Sequence, residues 1–242
     1  MLLRNTEKLQ QLIDQLLELS QLESESIPLK KEAYDVVKLL RSISNSFIPL
    51  ADQKNIKFNF NSNMESAFAL LDKDKFEKIV NNLLSNAFKF TDVGGTVNID
   101  LIEKISSDNN FAFISISDSG VGISKENQSK IFNRFFQVDD SSKRNYGGSG
   151  IGLALVKELT TLLGWDISVN SSEDEGTEFT LMIPLLSQKE IQTNLSFLNY
   201  QDVQSKLVDQ VDLEKSDDDY PIENNSKPSL LFVEDQIDVR DY

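Results

Sequence analysis

The decapeptide NNLLSNAFKF, Asn81 to Phe90, mixes two kinds of residue. Leu83, Leu84, Ala87, Phe88 and Phe90 look like the core face of a helix. Asn81, Asn82 and Asn86 are indifferent helix formers, because their amides compete for backbone hydrogen bonds. Asn82 and Asn86 stand four apart and so lie one above the other, with Lys89 three residues further on much the same face. Two amides and an ammonium beside a core suit an anionic ligand. A polar face turned to water has the same spacing, and this stretch alone does not choose.

Two glycine clusters add to it. DSGVGI, Asp118 to Ile123, follows the apolar run FISIS, and YGGSGIGLALVKEL, Tyr146 to Leu159, opens a helical pattern. A tight turn accounts for the first. The second places unpaired N–H groups at a helix N-terminus, where a phosphate is well held. Neither cluster has the glycine spacing of a dinucleotide fingerprint. Gly147 and Gly152 have the gap of a phosphate loop, but Leu153 follows where that loop requires lysine.

Composition narrows the chemistry further. The 242 residues contain no histidine and no cysteine. That removes the commonest general base, the usual zinc ligands, disulfides and thiol nucleophiles. A net charge of −15 opposes binding to a nucleic-acid backbone. Phosphate must instead be met by backbone N–H groups, a few placed cations and a metal ion. No apolar run approaches the ~20 residues of a membrane span.

The elements that must position these residues are legible in the hydropathy pattern. Residues 1 to about 25 read as one helix with Leu2, Leu9, Leu12, Ile13, Leu16, Leu19 and Leu22 on one side. Its stripe needs a cover, either a second helix through a hairpin or dimer, or the chain's own domain. From 30 to 186, IKFNFNS, TVNIDLIEK, FAFISISD, WDISVN and EFTLMIP alternate as half-buried strands. Helices are predicted near 35–52, 73–90, 124–133 and 150–163, with Asp72 or Asp74 capping the second. Alternating strands expect one wet face, so the fold class is α+β: a two-layer sandwich of a mixed, largely antiparallel sheet with helices on one side. Residues 187–227 have the composition of an acidic linker, and SLLFVEDQIDVRDY, residues 229–242, opens a new strand.

The order of motifs resembles the ATP-binding domain of two-component sensor histidine kinases, within the superfamily that also holds gyrase-, Hsp90- and MutL-type ATPases. NNLLSNAFKFT resembles its N box, DSGVGI its first glycine box, IFNRFFQVD its F box, GGSGIGLAL its second glycine box and EGTEFTLMIP its closing segment. The resemblance implies a Bergerat-type fold, ATP and Mg2+ as ligands, and phosphoryl transfer to a histidine on a hairpin helix. It implies that Asn86 coordinates magnesium on the ATP phosphates, that Asn82 and Lys89 serve the phosphates, and that Phe90 packs on adenine. Asp118 would accept the adenine N6 hydrogen bond with support from Thr177, while Gly120, Gly122 and Ile123 line the base. Gly148, Ser149, Gly150, Ile151, Gly152 and Leu153 would hold the phosphates. Arg134, Phe135, Lys143 and Arg144 would belong to a lid spanning about 132–148.

The same resemblance divides the chain into 1–27, the second helix of a dimerisation hairpin; 30–186, the catalytic domain; 187–227, the linker; and 228–242, the start of a receiver with Glu234 and Asp235 as its acidic pair. It implies a hybrid sensor kinase with a homodimer, its own receiver and a cytoplasmic setting. No nucleic acid is expected as a partner of these residues. With no histidine, the chain is expected to be a piece that cannot autophosphorylate. Two other readings remain: a non-catalytic nucleotide-binding scaffold, and a gyrase- or Hsp90-type ATPase with Glu77 as general base.

Overall fold

The computed structural model describes residues 28–105, 110–137 and 149–187, together with positions 10, 16, 17, 19, 20, 190 and 191. Strand β1 (Glu32–Asp35) leads into α1 (Val36–Lys54), followed by β2 (Lys57–Ser62), β3 (Phe68–Leu71) and α2 (Lys73–Phe90). Then come β4 (Thr96–Ile105), β5 (Asn110–Asp118), the short α3 (Lys125–Gln128), α4 (Gly152–Leu163), β6 (Asp166–Ser172) and β7 (Gly176–Pro184). Five strands form one sheet in the order β2-β4-β5-β7-β6, and β1 pairs with β3 in a separate ribbon. The β2–β4 pair is parallel and the other three pairs are antiparallel.

Alternation decides which side of the sheet is covered. Val97, Ile99, Leu101, Ile114, Ile116, Phe179 and Leu181 are buried. They share one core with the apolar face of α2, where Phe76, Ile79, Val80, Leu83, Leu84 and Phe88 are also buried. Phe88 stacks on Phe47 of α1 at 5.5 Å and meets Phe58 edge-on at 5.1 Å. The other face carries side-chain hydrogen bonds across strands: Asn59 to Asn98, Asn61 to Asp100 and Ser115 with Thr180. One face is core and the other is wet, as the alternating strands require.

Helix boundaries follow their caps. Asp35 accepts from Val37 N and Lys38 N at the start of α1, and Asp72 accepts from Lys75 N at the start of α2. Four elements differ from the sequence reading. Strands β1 and β3 have four residues each, too short to show a period. The helix expected over 124–133 stops at Gln128. Beyond it the backbone bonds Lys130 to Asn127 and Asn133 to Lys130 are three-residue turns, and Phe135 takes φ 60°. After β7, Ser187 and Glu190 form a reciprocal capping box, and positions 190 and 191 are helical where a linker was expected. Leu19 is buried in the domain core while Leu16 and Leu17 are exposed, so at that position the domain itself covers the N-terminal stripe.

Candidate functional site

The side of α2 not spent on the core carries Asn82, Asn86 and Lys89, all partly exposed. Asn82 Nδ2 donates to the Lys78 carbonyl at 2.8 Å, which turns its Oδ1 away from its own helix. That oxygen faces the first residue of α4: a Cβ on Gly152 would lie 2.7 Å from it. Gly152 therefore lets the start of α4 close on the amide oxygen. Among the described residues no side chain caps α4, and its first turn carries no acid. Its opening N–H groups are thus uncapped by the described residues and hold the positive end of the helix. Ser149 supports the loop before it by accepting from Ile151 N at 3.2 Å, and Ile151 and Leu153 anchor it by packing into the core. Gly150 O accepts from Phe135 N at 2.9 Å, which joins this loop to the IFNRFF turn.

At the far end of α2 the other glycine loop closes in. A Cβ on Gly120 would collide with the Phe90 carbonyl oxygen, so only glycine allows this approach. Gly122 and Ile123 continue the same loop. Lys89 Nζ lies 4.5 Å from the Phe90 ring centroid, and burial pulls its pKa down. Asp118 ends β5 directly opposite Thr177 of β7. Burial pushes the Asp118 carboxyl up to about 6, against hydrogen bonds from the N–H groups of Gly120 and Thr177 that favour the charged form. A carboxylate desolvated to this degree inside a fold is a common mark of a binding or catalytic group.

The expected residues thus gather on one side of α2: amides and an uncapped helix start at one end, a buried carboxylate and a threonine at the other. Arg134 is engaged with Glu158 of α4 at 3.8 Å. Phe135 is exposed. Lys143, Arg144 and Gly148 lie outside the described residues. Glu77, weighed as a general base, pairs with Lys73 at 3.8 Å one turn back. Among the described residues no cluster of three or more acidic, histidine or cysteine side chains could hold a metal alone. The neutral oxygens of Asn82 and Asn86 do suit a hard cation that arrives with anionic oxygens of its own. A polar recess at the same end of the sheet is lined by Ser117, Asp118, Asn170, Ser171, Thr177 and Glu178 among others. Alternation puts the Ser117, Asn170 and Glu178 side chains on the face opposite those of Asp118 and Thr177.

Sequence reasoning missed Ser171 and Gln128. Ser171 Oγ accepts from Ile123 N and donates to Gly176 O, and the Gln128 amide reaches the carbonyls of Ile123 and Ser171. Both residues sit in polar runs with no periodicity to mark them.

Residues 71–187 match the family described as histidine kinase-, DNA gyrase B-, and HSP90-like ATPase. The chain carries a domain of this family. Hybrid signal transduction histidine kinase D of Dictyostelium discoideum is 35% identical over 208 residues, covering 84% of this chain and 14% of that protein. Histidine kinase P4 of Formosa agariphila is 34% identical over 240 residues, covering 95% and 17%. The crystal structure of full-length ShkA in complex with AMPPNP aligns with a TM-score of 0.66 at 26% identity, over 76% of this chain and 37% of that one. The chain is thus homologous to the ATPase domains of sensor histidine kinases, hybrid kinases among them, and spans less than a fifth of the two curated relatives' length. Its mixed sheet with helices on one face is the histidine-kinase catalytic fold.

Proposed function

We propose that this chain binds Mg·ATP on the exposed side of α2 and serves as the catalytic domain of a hybrid sensor histidine kinase. The observation that carries the reading is the convergence on one helix of Asp118 with Thr177, of Asn82 with Gly152, and of the uncapped start of α4. Asp118 accepts a donor from the base, and Phe90 and Ile123 flank it. Asn82, Asn86, Lys89, Ser149, Gly150 and the α4 N-terminus meet the phosphates. Arg134, Lys143, Arg144 and Gly148 close over them. Magnesium, when bound with ATP, supplies charge neutralisation on the phosphate oxygens, and Asn86 is its ligand from the protein. The γ-phosphoryl group passes to a histidine of a hairpin helix supplied by another chain segment, because these 242 residues contain none. In the whole protein the helix of residues 1–27 dimerises, 187–227 tethers, and 228–242 opens a receiver that takes the phosphoryl group onward. The structure of ThkA with the response regulator TrrA is one case of a kinase seated with its regulator. A cytoplasmic setting suits this role, and no helix among the described residues is long and apolar enough to cross a membrane.

The test is calorimetric titration of a non-hydrolysable ATP analogue, with and without magnesium. The parent is expected to bind with magnesium, Asp118→Ala to lose binding, and Asn86→Ala to lose the magnesium dependence. A histidine-bearing hairpin added in trans should then acquire label from γ-labelled ATP. A folded parent that binds no analogue under either condition overturns the reading.

A further inference from the structure

We propose that Ser171 is a positioning residue that locks the Asp118–Ile123 loop to the sheet and directs the Thr177 hydroxyl, so that the site favours a 6-aminopurine over a 6-oxopurine. The inference rests on the nucleotide reading above and adds a specificity determinant to it.

A serine hydroxyl has one proton to give and two lone pairs to accept with. Ser171 Oγ lies 2.7 Å from the Gly176 carbonyl, which can only accept, so the single proton goes there. The Ile123 N–H, 2.8 Å away, can only donate and takes one lone pair. Thr177 Oγ1 lies 2.9 Å from the same oxygen. With its proton committed, Ser171 can only accept from Thr177. The Thr177 proton is thereby spent within the protein. Ser171 and Thr177 are 8% and 7% exposed, so water competes poorly for either hydroxyl.

Thr177 is left with lone pairs alone to offer a ligand. Its partner across the β5–β7 pair is Asp118, which when ionised also only accepts. Paired residues on adjacent strands project from the same face. Two adjacent acceptors fit a base edge that donates, such as an exocyclic amine, and repel a carbonyl. A second clamp holds the loop in place. Gln128 Nε2 donates to Ile123 O at 3.0 Å and to Ser171 O at 2.7 Å. Both polar backbone groups of Ile123 are therefore gripped by side chains, one from β6 and one from α3.

The experiment compares the parent with Ser171→Ala, Ser171→Thr and Gln128→Ala. Calorimetry gives the affinity ratio for the imido analogue of ATP against inosine triphosphate. Hydrogen exchange gives the protection of the Ile123 amide without nucleotide, and thermal unfolding confirms that each variant is folded. Ser171→Ala should lower the preference for the adenine nucleotide by about fivefold, the scale of one hydrogen bond. It should also speed exchange at Ile123. Ser171→Thr, which keeps a hydroxyl, should restore the preference. Gln128→Ala should speed exchange at Ile123 and lower the preference by less than Ser171→Ala does, because it leaves the Thr177 hydroxyl directed. A Ser171→Ala protein with the parent's preference and the parent's Ile123 protection overturns the proposal. A parent that binds neither nucleotide defeats the nucleotide reading and the specificity claim with it, while Ile123 exchange still decides whether Ser171 locks the loop.

Discussion

Asp118 should cost the folded protein stability at neutral pH, and its removal should return it. Its pKa in the fold is about 6, against 3.8 for the ordinary side chain. A folded pKa above the unfolded one means that the native state binds the proton more tightly. The stability this confers is complete below about pH 4 and is lost as pH rises through 6. The difference is worth about 3 kcal/mol above pH 7. Asp118→Asn keeps an oxygen to accept from Gly120 N, 2.8 Å from Oδ1 in the parent, and carries no charge to desolvate. Urea unfolding of both proteins at several pH values between 4.5 and 8 is the assay. The variant should gain relative to the parent by about 2 kcal/mol across that range, with most of the change below pH 7. Its affinity for an ATP analogue should fall at least tenfold at pH 8, because one of its amide faces donates where the base also donates. A stability difference that stays constant from pH 4.5 to 8 would refute the reasoning, since then Asp118 is not titrating in the fold.

Three further outcomes are expected. Gly152→Ala should separate binding from stability: the new methyl meets only the movable end of Asn82, so unfolding should shift by no more than about 1 kcal/mol, while calorimetry shows a loss of nucleotide affinity. Gly120→Ala puts a methyl against the Phe90 backbone, which cannot swing aside, and should lower stability by about 1–3 kcal/mol in denaturant unfolding. Asp35→Ala removes the α1 cap and the acceptor for Ser66 Oγ and Ala67 N, so it should cost about 2 kcal/mol and leave nucleotide affinity unchanged.

What could be read from the sequence followed from how strongly each element repeats. Phe58 and Phe60, or Ile114 and Ile116, announce their strands because one face is core and the other is water. The FALL of β3 has no such contrast, and its four residues are fixed by pairing with β1 rather than by their own pattern. The helix expected beyond Gln128 gives way to the residues that carry Ile131 and Phe132. Both do pack into the core, but from successive tight turns. The asparagines of α2 stood out because they sit where a helix gains nothing from them. Ser171 sat among other serines and acids, and only the sheet register brings it under Ile123 and beside Thr177. The Ser187–Glu190 capping box has its helix-start spacing in the sequence, but the polar run after it lacks the apolar period that would mark a helix.

Asp118 and Thr177 are neighbours across two strands, yet the IFNRFF turn, the second glycine loop, α4 and β6 all lie between them along the chain. During translation the amide stripe and the carboxylate emerge long before the strand that completes their pocket. Any growing chain that stops short of β7 leaves β5 an open edge with Ile114 and Ile116 uncovered on one flank, a form prone to pair with the wrong partner. Closing that edge requires a long loop to be drawn shut, which is the slow kind of step in folding. On the proposed function nucleotide lends nothing to such an intermediate, because the base end of the proposed site does not yet exist. Protection by ligand begins only once β7 is in place, so a cell short of ATP would weaken the finished domain while leaving its assembly unaffected.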